Sequence, residues 1–126
     1  MSEALKTKLS VLQKVAWLTP AGEEVLHALA QDAHFETFPD GQLVGLQGQD
    51  VNYLYVVAQG HLESSASNAA GKRHILGQVN VGETAGLIPL MDEQGEINDL
   101  TARNALRLLL IPGLSFKSVS YTHLRA

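Results

Sequence analysis

The hydrophobic pattern of this chain changes its period once, near residue 34. Before that point apolar residues recur at steps of three or four: Leu5, Leu9, Leu12 and Val15 share one helical face, while Lys6, Lys8, Gln13 and Lys14 fall elsewhere. The spacing predicts a short amphipathic helix over 4–15. Thr19-Pro20 then reads as an N-cap followed by proline at the first helical position, with Glu23 and Glu24 near the positive end of the helix dipole. A second helix is therefore expected from Pro20 to Asp32. Its apolar face would be Val25, Leu26, Leu29 and Ala33, packed on whatever lies beneath Trp17.

From Phe35 onward the period becomes two, and glycine supplies the punctuation. Strands are expected at 34–38, 42–46, 53–57, 61–66 and 73–79. They are separated by Pro39-Asp40-Gly41, Gly48-Gln49-Asp50, Gly60, the stretch Asn68 to Gly71, and Gly82. Turn signals every ten residues or so indicate a compact antiparallel sandwich or roll rather than βαβ units. Residues 86–91 break the alternation and predict a short helical turn inserted between strands. A polar loop, Asp92 to Glu96, and two strands at 97–102 and 106–111 around Arg103-Asn104 follow. After Pro112-Gly113, residues Leu114, Phe116 and Val119 begin another helix that the sequence does not complete. The expected division is N-terminal helices over 1–33, a β-roll over 34–112, and the start of a truncated C-terminal helix over 113–126. Ser120 to Ala126 continue neither the apolar period nor a cap, which leaves a native or a non-native origin open for that tail, and Leu114 and Phe116 would form an exposed apolar patch.

Composition narrows the chemistry. One domain suits 126 residues, and with 45% hydrophobic residues a real core is available without covalent staples. The chain has no cysteine, which removes disulfides, iron–sulfur clusters, thiolate zinc sites and cysteine nucleophiles. A formal net charge of -4 argues against the whole chain as a nucleic-acid binder, because phosphate neutralisation needs clustered positive charge. Lys6, Lys8 and Lys14 interrupt the N-terminal apolar stretch, unlike a signal peptide. The apolar run Leu108 to Ile111, between Arg107 and Pro112, is far short of the roughly 20 residues a bilayer helix needs. A soluble cytoplasmic protein with no membrane partner is expected.

Several stretches carry a family resemblance. Pro39-Asp40-Gly41-Gln42-Leu43-Val44, then Gln47-Gly48-Gln49-Asp50, then Tyr53-Leu54-Tyr55-Val56-Val57-Ala58-Gln59-Gly60 form a glycine turn, a Gln-Gly-Asp-like turn and a Leu-Tyr-aliphatic strand closed by glycine. Gly71-Lys72-Arg73-His74-Ile75-Leu76, Val81-Gly82-Glu83 and Ala102 to Pro112 continue the series. In this order they resemble the cyclic nucleotide-binding domain of bacterial regulators of the cyclic AMP receptor protein and fumarate-nitrate regulator (CRP/FNR) family, over about residues 9–116. The resemblance implies a mainly β fold with flanking helices, an antiparallel double-stranded β-helix (β-roll or jelly roll) preceded by N-terminal helices.

The same resemblance implies a phosphate-binding cassette in which a Glu takes the ribose hydroxyl and an Arg pairs with the cyclic phosphate. A short helix in that cassette offers backbone N–H groups to the phosphate. Here the Glu position after Gly86 is Leu87, and the Arg position falls on Glu96 or Ile97; no Arg or Lys occurs between Arg73 and Arg103. A buried phosphate needs a guanidinium fork and oriented donors to offset its lost hydration. Pro89 lacks an N–H in the segment whose donors would face the phosphate, and Leu87 cannot accept a hydrogen bond. The cassette is degenerate, and cyclic nucleotide is not expected to bind.

The candidate ligand-binding positions are Gly86, Leu87, Ile88, Pro89, Glu96, Ile97, Asn98 and Asp99. Leu87, Ile88, Leu90 and Met91 would either line an apolar effector pocket, with Asn98 or Asp99 as polar anchor, or simply fill the core of the roll. Arg103 and Arg107 flank the final turn and are expected in solvent. Among the five histidines, His61 and His74 would face each other on a hairpin, but no His-x-x-x-His spacing is present and no metal is expected. Some relatives in the regulator family use haem, for which His34, His61 or His74 would be the candidate ligands; no cofactor is expected here. Ser64 to Asn68 reads as a hairpin loop with no nucleophile motif, and Asp92, Glu93 and Glu96 as an acidic turn. The chain is not expected to be an enzyme.

Two functions fit these residues. The first is the effector-sensing domain of a bacterial transcription regulator, with DNA contacted only through a C-terminal domain absent from this chain and the full-length protein a homodimer. The second is a degenerate roll acting as an interaction or dimerisation module without ligand.

Overall fold

The computed structural model describes residues 2–92 and 95–119; Ser120 to Ala126 and Glu93 of the acidic turn lie outside them. Helix α1 spans Glu3–Leu12, starting where the Leu5 N–H donates to Ser2 Oγ at 3.1 Å, a cap that apolar spacing does not reveal. It ends before Val15. Thr19-Pro20 does not open the second helix. Thr19 Oγ1 donates back to the Ala16 carbonyl at 3.1 Å, and Thr19–Ala21 closes as a single 3-10 turn. Gly22, at φ 96, then redirects the chain into α2, Glu23–Asp32. Spending the threonine hydroxyl upstream leaves α2 without a side-chain cap.

The strands are β1 (His34–Phe38), β2 (Leu43–Gly45), β3 (Tyr53–Ser67), β4 (Arg73–Val79), β5 (Thr84–Ala85) and β6 (Asp99–Pro112). All pairs are antiparallel, in the order β1-β6-β3-β4, with β2 also on β6 and β5 also on β3. Two expected turns are bends inside long strands. β3 runs straight through Gly60, and β6 through Arg103-Asn104. Gln59 pairs with Arg107 and His61 with Arg103, so the intervening residues of β6 bulge outward, with Asn104 at φ 59 and Ala105 at φ 52. A Cβ on Gly60 would lie 2.7 Å from the Arg103 carbonyl oxygen, which is why glycine marks the spot. The two 14- and 15-residue strands thereby fold over themselves into the roll. The run Ser64 to Ser67 is strand paired with β4, not loop; the turn begins at Asn68, whose Oδ1 accepts from the N–H groups of Ala70 and Lys72.

Helix α3 is Leu87–Met91 and α4 is Gly113–Val119. Two apolar clusters share the central ribbon. Leu54, Val56, Leu109 and Ile111 face α1, α2 and α4, while Val57, Leu106, Leu108 and Leu110 face the interior of the roll. Both faces of β6 are thus buried, which explains the unbroken apolar run at 108–111 where a one-sided strand would alternate. The α2 face packs in the first cluster with Leu12, Val15, Leu109 and Phe116. Trp17 stacks edge-on against Phe116, centroids 6.0 Å apart. Phe116 is buried by this contact and only Leu114, 85% exposed, remains of the expected patch. Among the described residues no helix is long and apolar enough to cross a membrane.

Candidate functional site

β5 pairs with Tyr55 and Val56 of β3 and delivers the chain to Gly86, at φ 91. A Cβ there would sit 3.0 Å from the Tyr53 carbonyl oxygen, so glycine lets the chain cross close over β3 before α3 begins. The helix turns Leu90 into the core, where the sequence pattern allowed it, and leaves Ile88 59% exposed and Leu87 half-buried. The opposing wall is pinned from its backbone. The Glu96 N–H donates to the Gln49 carbonyl at 2.7 Å, and the Gly48 N–H donates to the Glu96 carbonyl at 2.8 Å.

Between these walls lies a cleft of about 300 Å3. Gly86, Leu87, Ile88 and Pro89 form one side, and Glu96, Ile97 and Asn98 the other. Ser64 of β3, Val79 of β4 and Leu100 of β6 line the space between, with Thr84 and Ala85 at the entry to α3. Seven of the eight candidate positions therefore meet around one space. Asp99 does not line it. Its Oδ1 accepts from the Gln47 N–H at 2.9 Å and its Oδ2 from Arg73 at 3.3 Å, so this carboxylate is committed to holding the 46–49 turn. Ser64, Val79 and Thr84 had no motif to single them out; only the period-2 register of β3 against β4 brings Ser64 and Val79 near the cleft. A second concavity, about 210 Å3, lies between α1 and α2 and includes Leu9, Leu26 and His27.

Among the described residues the cleft carries one ionisable side chain. Glu96 is 8% exposed, and burial pushes its carboxyl above the usual carboxylate range, with the backbone N–H groups of Ile97 and Asn98 pulling it partly back. The Tyr55 phenol is raised as well, by burial first and then by the negative charge of Glu96 and of Glu36. Among the described residues no Lys, Arg or His lines the space. Arg103 and Arg107, which follow it on β6, are partly exposed and each meets a partner elsewhere. Arg103 bonds Glu63 at 3.2 Å and Arg107 lies 3.8 Å above the centre of the Phe35 ring. Among the described residues the lining therefore holds one carboxylate and no cationic side chain.

Among the described residues the histidines stay apart. His34 meets the Tyr53 ring edge-on at 5.8 Å, His61 Nδ1 lies 3.5 Å from Asn104 Nδ2, and His74 Nε2 lies 3.5 Å from Asn68 Nδ2. His74 stands opposite Ala66 in the ladder, so the expected His61–His74 pair does not form.

A sequence profile described as the cyclic nucleotide-binding domain matches residues 35–123. Among curated proteins, a lysophospholipase of Aspergillus terreus is 29% identical over 83 residues, 66% of this chain but only 5% of that enzyme. Among solved structures, the regulatory subunit of a cAMP-independent protein kinase A from Trypanosoma brucei, as a triple variant bound to cAMP, superposes with a TM-score of 0.87 at 14% identity, over 96% of this chain and 44% of that one. The sensor domain of the transcriptional regulator DNR from Pseudomonas aeruginosa gives a TM-score of 0.85 at 18% identity, over 98% of this chain and 83% of that one. At these identities the solved structures speak for the fold.

Proposed function

The chain belongs to the cyclic nucleotide-binding domain family, and from that premise we propose that it is the effector-sensing roll of a bacterial transcription regulator whose cleft takes a small molecule other than a cyclic nucleotide. One observation carries the reading. The cleft is open and formed by the cassette positions, yet Leu87 stands where the resemblance places the family's Glu, Glu96 or Ile97 stands where it places the Arg, and the buried Glu96 adds a negative charge. A phosphate about 4 Å from that carboxylate would meet a repulsion on the order of 4 kcal/mol at an effective dielectric near 20. The likeness to the DNR sensor domain, which this chain nearly spans, supports the regulator assignment. The kinase subunit is described as cAMP-independent, and its cAMP-bound form is a triple variant in which one substitution introduces an arginine, which is in keeping with this reading. DNA contact through a further domain and a homodimeric full-length protein complete the proposal. No catalysis is assigned: the matched enzyme shares 83 residues, 5% of its length.

Calorimetric titration with cyclic AMP and cyclic GMP tests this. No binding is expected at tens of micromolar, and the double variant Leu87→Glu, Ile97→Arg should gain cyclic AMP affinity. A micromolar dissociation constant for the unaltered chain overturns the proposal. The second reading, a ligand-free interaction module, is favoured by one feature: β4 is an edge strand with Ile75 66% and Leu76 58% exposed. Concentration-dependent self-association that Ile75→Lys abolishes, without any stabilising small molecule in a thermal-shift screen, would replace the first reading by the second.

A further inference from the structure

Resting on the reading of the cleft as an effector site, we infer the chemical class of its ligand: a small organic ammonium compound, its cationic head on the Glu96 carboxylate and its apolar body against Leu87, Ile88 and Ile97. Three features of the cleft converge on this. The first is size, since about 300 Å3 is at the lower end of the roughly 300–1,000 Å3 range of ligand pockets and suits a molecule smaller than a nucleotide.

The second is charge. Among the described residues Glu96 is the ionisable side chain of the lining, it is buried, and no cationic residue of that lining answers it. Arg73 is bound to Asp99 and Arg103 to Glu63, so neither guanidinium is available to neutralise the site. The two backbone N–H groups that face Glu96 offset part of the cost of burying a carboxylate, and a bound cation would offset more.

The third is the arrangement of surfaces. Ile88 and Ile97 stand 59% and 46% exposed, which is costly unless something apolar covers them. Ser64, Thr84 and Asn98 add hydroxyl and amide groups to the lining. An ammonium gains a charge-assisted hydrogen bond here, a neutral alcohol an ordinary one, and a carboxylate meets repulsion.

The test uses phenethylamine, phenethyl alcohol and hydrocinnamate, three probes of one shape and different charge, titrated calorimetrically into the full chain and its Glu96→Gln and Ile97→Arg variants. Phenethylamine should bind the unaltered chain about 10-fold or more tighter than the alcohol, and hydrocinnamate should show no saturable binding. Glu96→Gln should bring the amine down to the level of the alcohol, and Ile97→Arg should reject the amine while admitting hydrocinnamate. Thermal unfolding of both variants checks that they are folded. Amine affinity that survives Glu96→Gln, or equal binding of alcohol and amine, overturns the inference. If the alcohol or the acid binds best, the ammonium class falls while the effector site stands. If none of the three binds, the ammonium class falls, and the cyclic nucleotide titration decides the broader reading separately.

Discussion

The helix-clad end of the roll and the cleft end obey opposite rules. Under α1, α2 and α4, the residues Leu54, Val56, Leu109 and Ile111 are buried to 0% exposure among other apolar side chains. Every buried polar or charged residue of the described chain, Ser65, Glu96, Asp99 and Thr101, belongs instead to the far part of the roll, on β3, β6 and the segment leading into β6. There the Ser65 hydroxyl has no hydrogen-bond partner, while Ile75, Leu76, Ile88 and Ile97 face outward. Buried polar and exposed large apolar groups are the informative exceptions to the inside-outside rule. One end is built to be stable, and the other gives up some stability to keep a shaped, charged space.

The sharpest way to break this contrast is to shorten one apolar side chain at each end. Leu109→Ala should cost about 2–5 kcal/mol by chemical denaturation, because the surrounding helices cannot collapse into the gap. Ile97→Ala, at the cleft, should stay within about 0.5 kcal/mol. Equal losses at the two positions would mean that the cleft wall is core, and the functional reading of its exposed side chains would lose its basis.

The two ends also differed in how far the sequence disclosed them. The roll was legible because its signals are local: the period-2 alternation from Phe35 and the glycines at 41, 48, 71 and 82, each at positive φ, mark turns directly. Gly60 misled, since a glycine admitting a close carbonyl inside a bent strand looks the same in sequence as one closing a hairpin. Thr19-Pro20 misled for a related reason: a hydroxyl can bond upstream or downstream, and three-dimensional packing chose upstream. At the site, the departure from the family's cassette was legible in the residues themselves, Leu87 at the Glu position and Glu96 or Ile97 at the Arg position. What Glu96 and Asp99 do was not, because two carboxylates three residues apart receive opposite assignments, one in the cleft and one tied to Gln47 and Arg73, from contacts with residues about 25 to 50 positions away.

That difference between the two carboxylates supplies the next test. Asp99→Ala removes the acceptor for the Gln47 N–H, which lies in an exposed turn that water can reach, so a loss of about 1 kcal/mol is expected. Asp99→Asn keeps an oxygen for that N–H and gives up only the pair with Arg73, whose side chain is 52% exposed; it should cost less than the alanine variant. Amine affinity in the cleft should be unchanged in Asp99→Asn. A variant at Asp99 that altered ligand binding while leaving stability intact would return this residue to the site.

The smallest effect concerns Glu96 and the pH. Its carboxyl holds its proton to a higher pH in the folded chain than in the unfolded one, where the ordinary value is 4.5. Between that value and the raised one the folded state binds more protons, so the contribution of Glu96 to stability falls as pH rises. The other titratable group facing it, Tyr55, is itself raised from an ordinary value of 10.0 and stays neutral throughout this window. Unfolding temperatures of the unaltered chain and of Glu96→Gln should therefore be closest near pH 4 and separate by a few degrees by pH 7, with the glutamine variant the more stable. Saturating phenethylamine should narrow that gap, because a cation on Glu96 favours its ionised form. A gap of the opposite sign at pH 7 would mean that the carboxylate is already stabilised within the fold, and the cleft would then have no unmet charge for a ligand to answer.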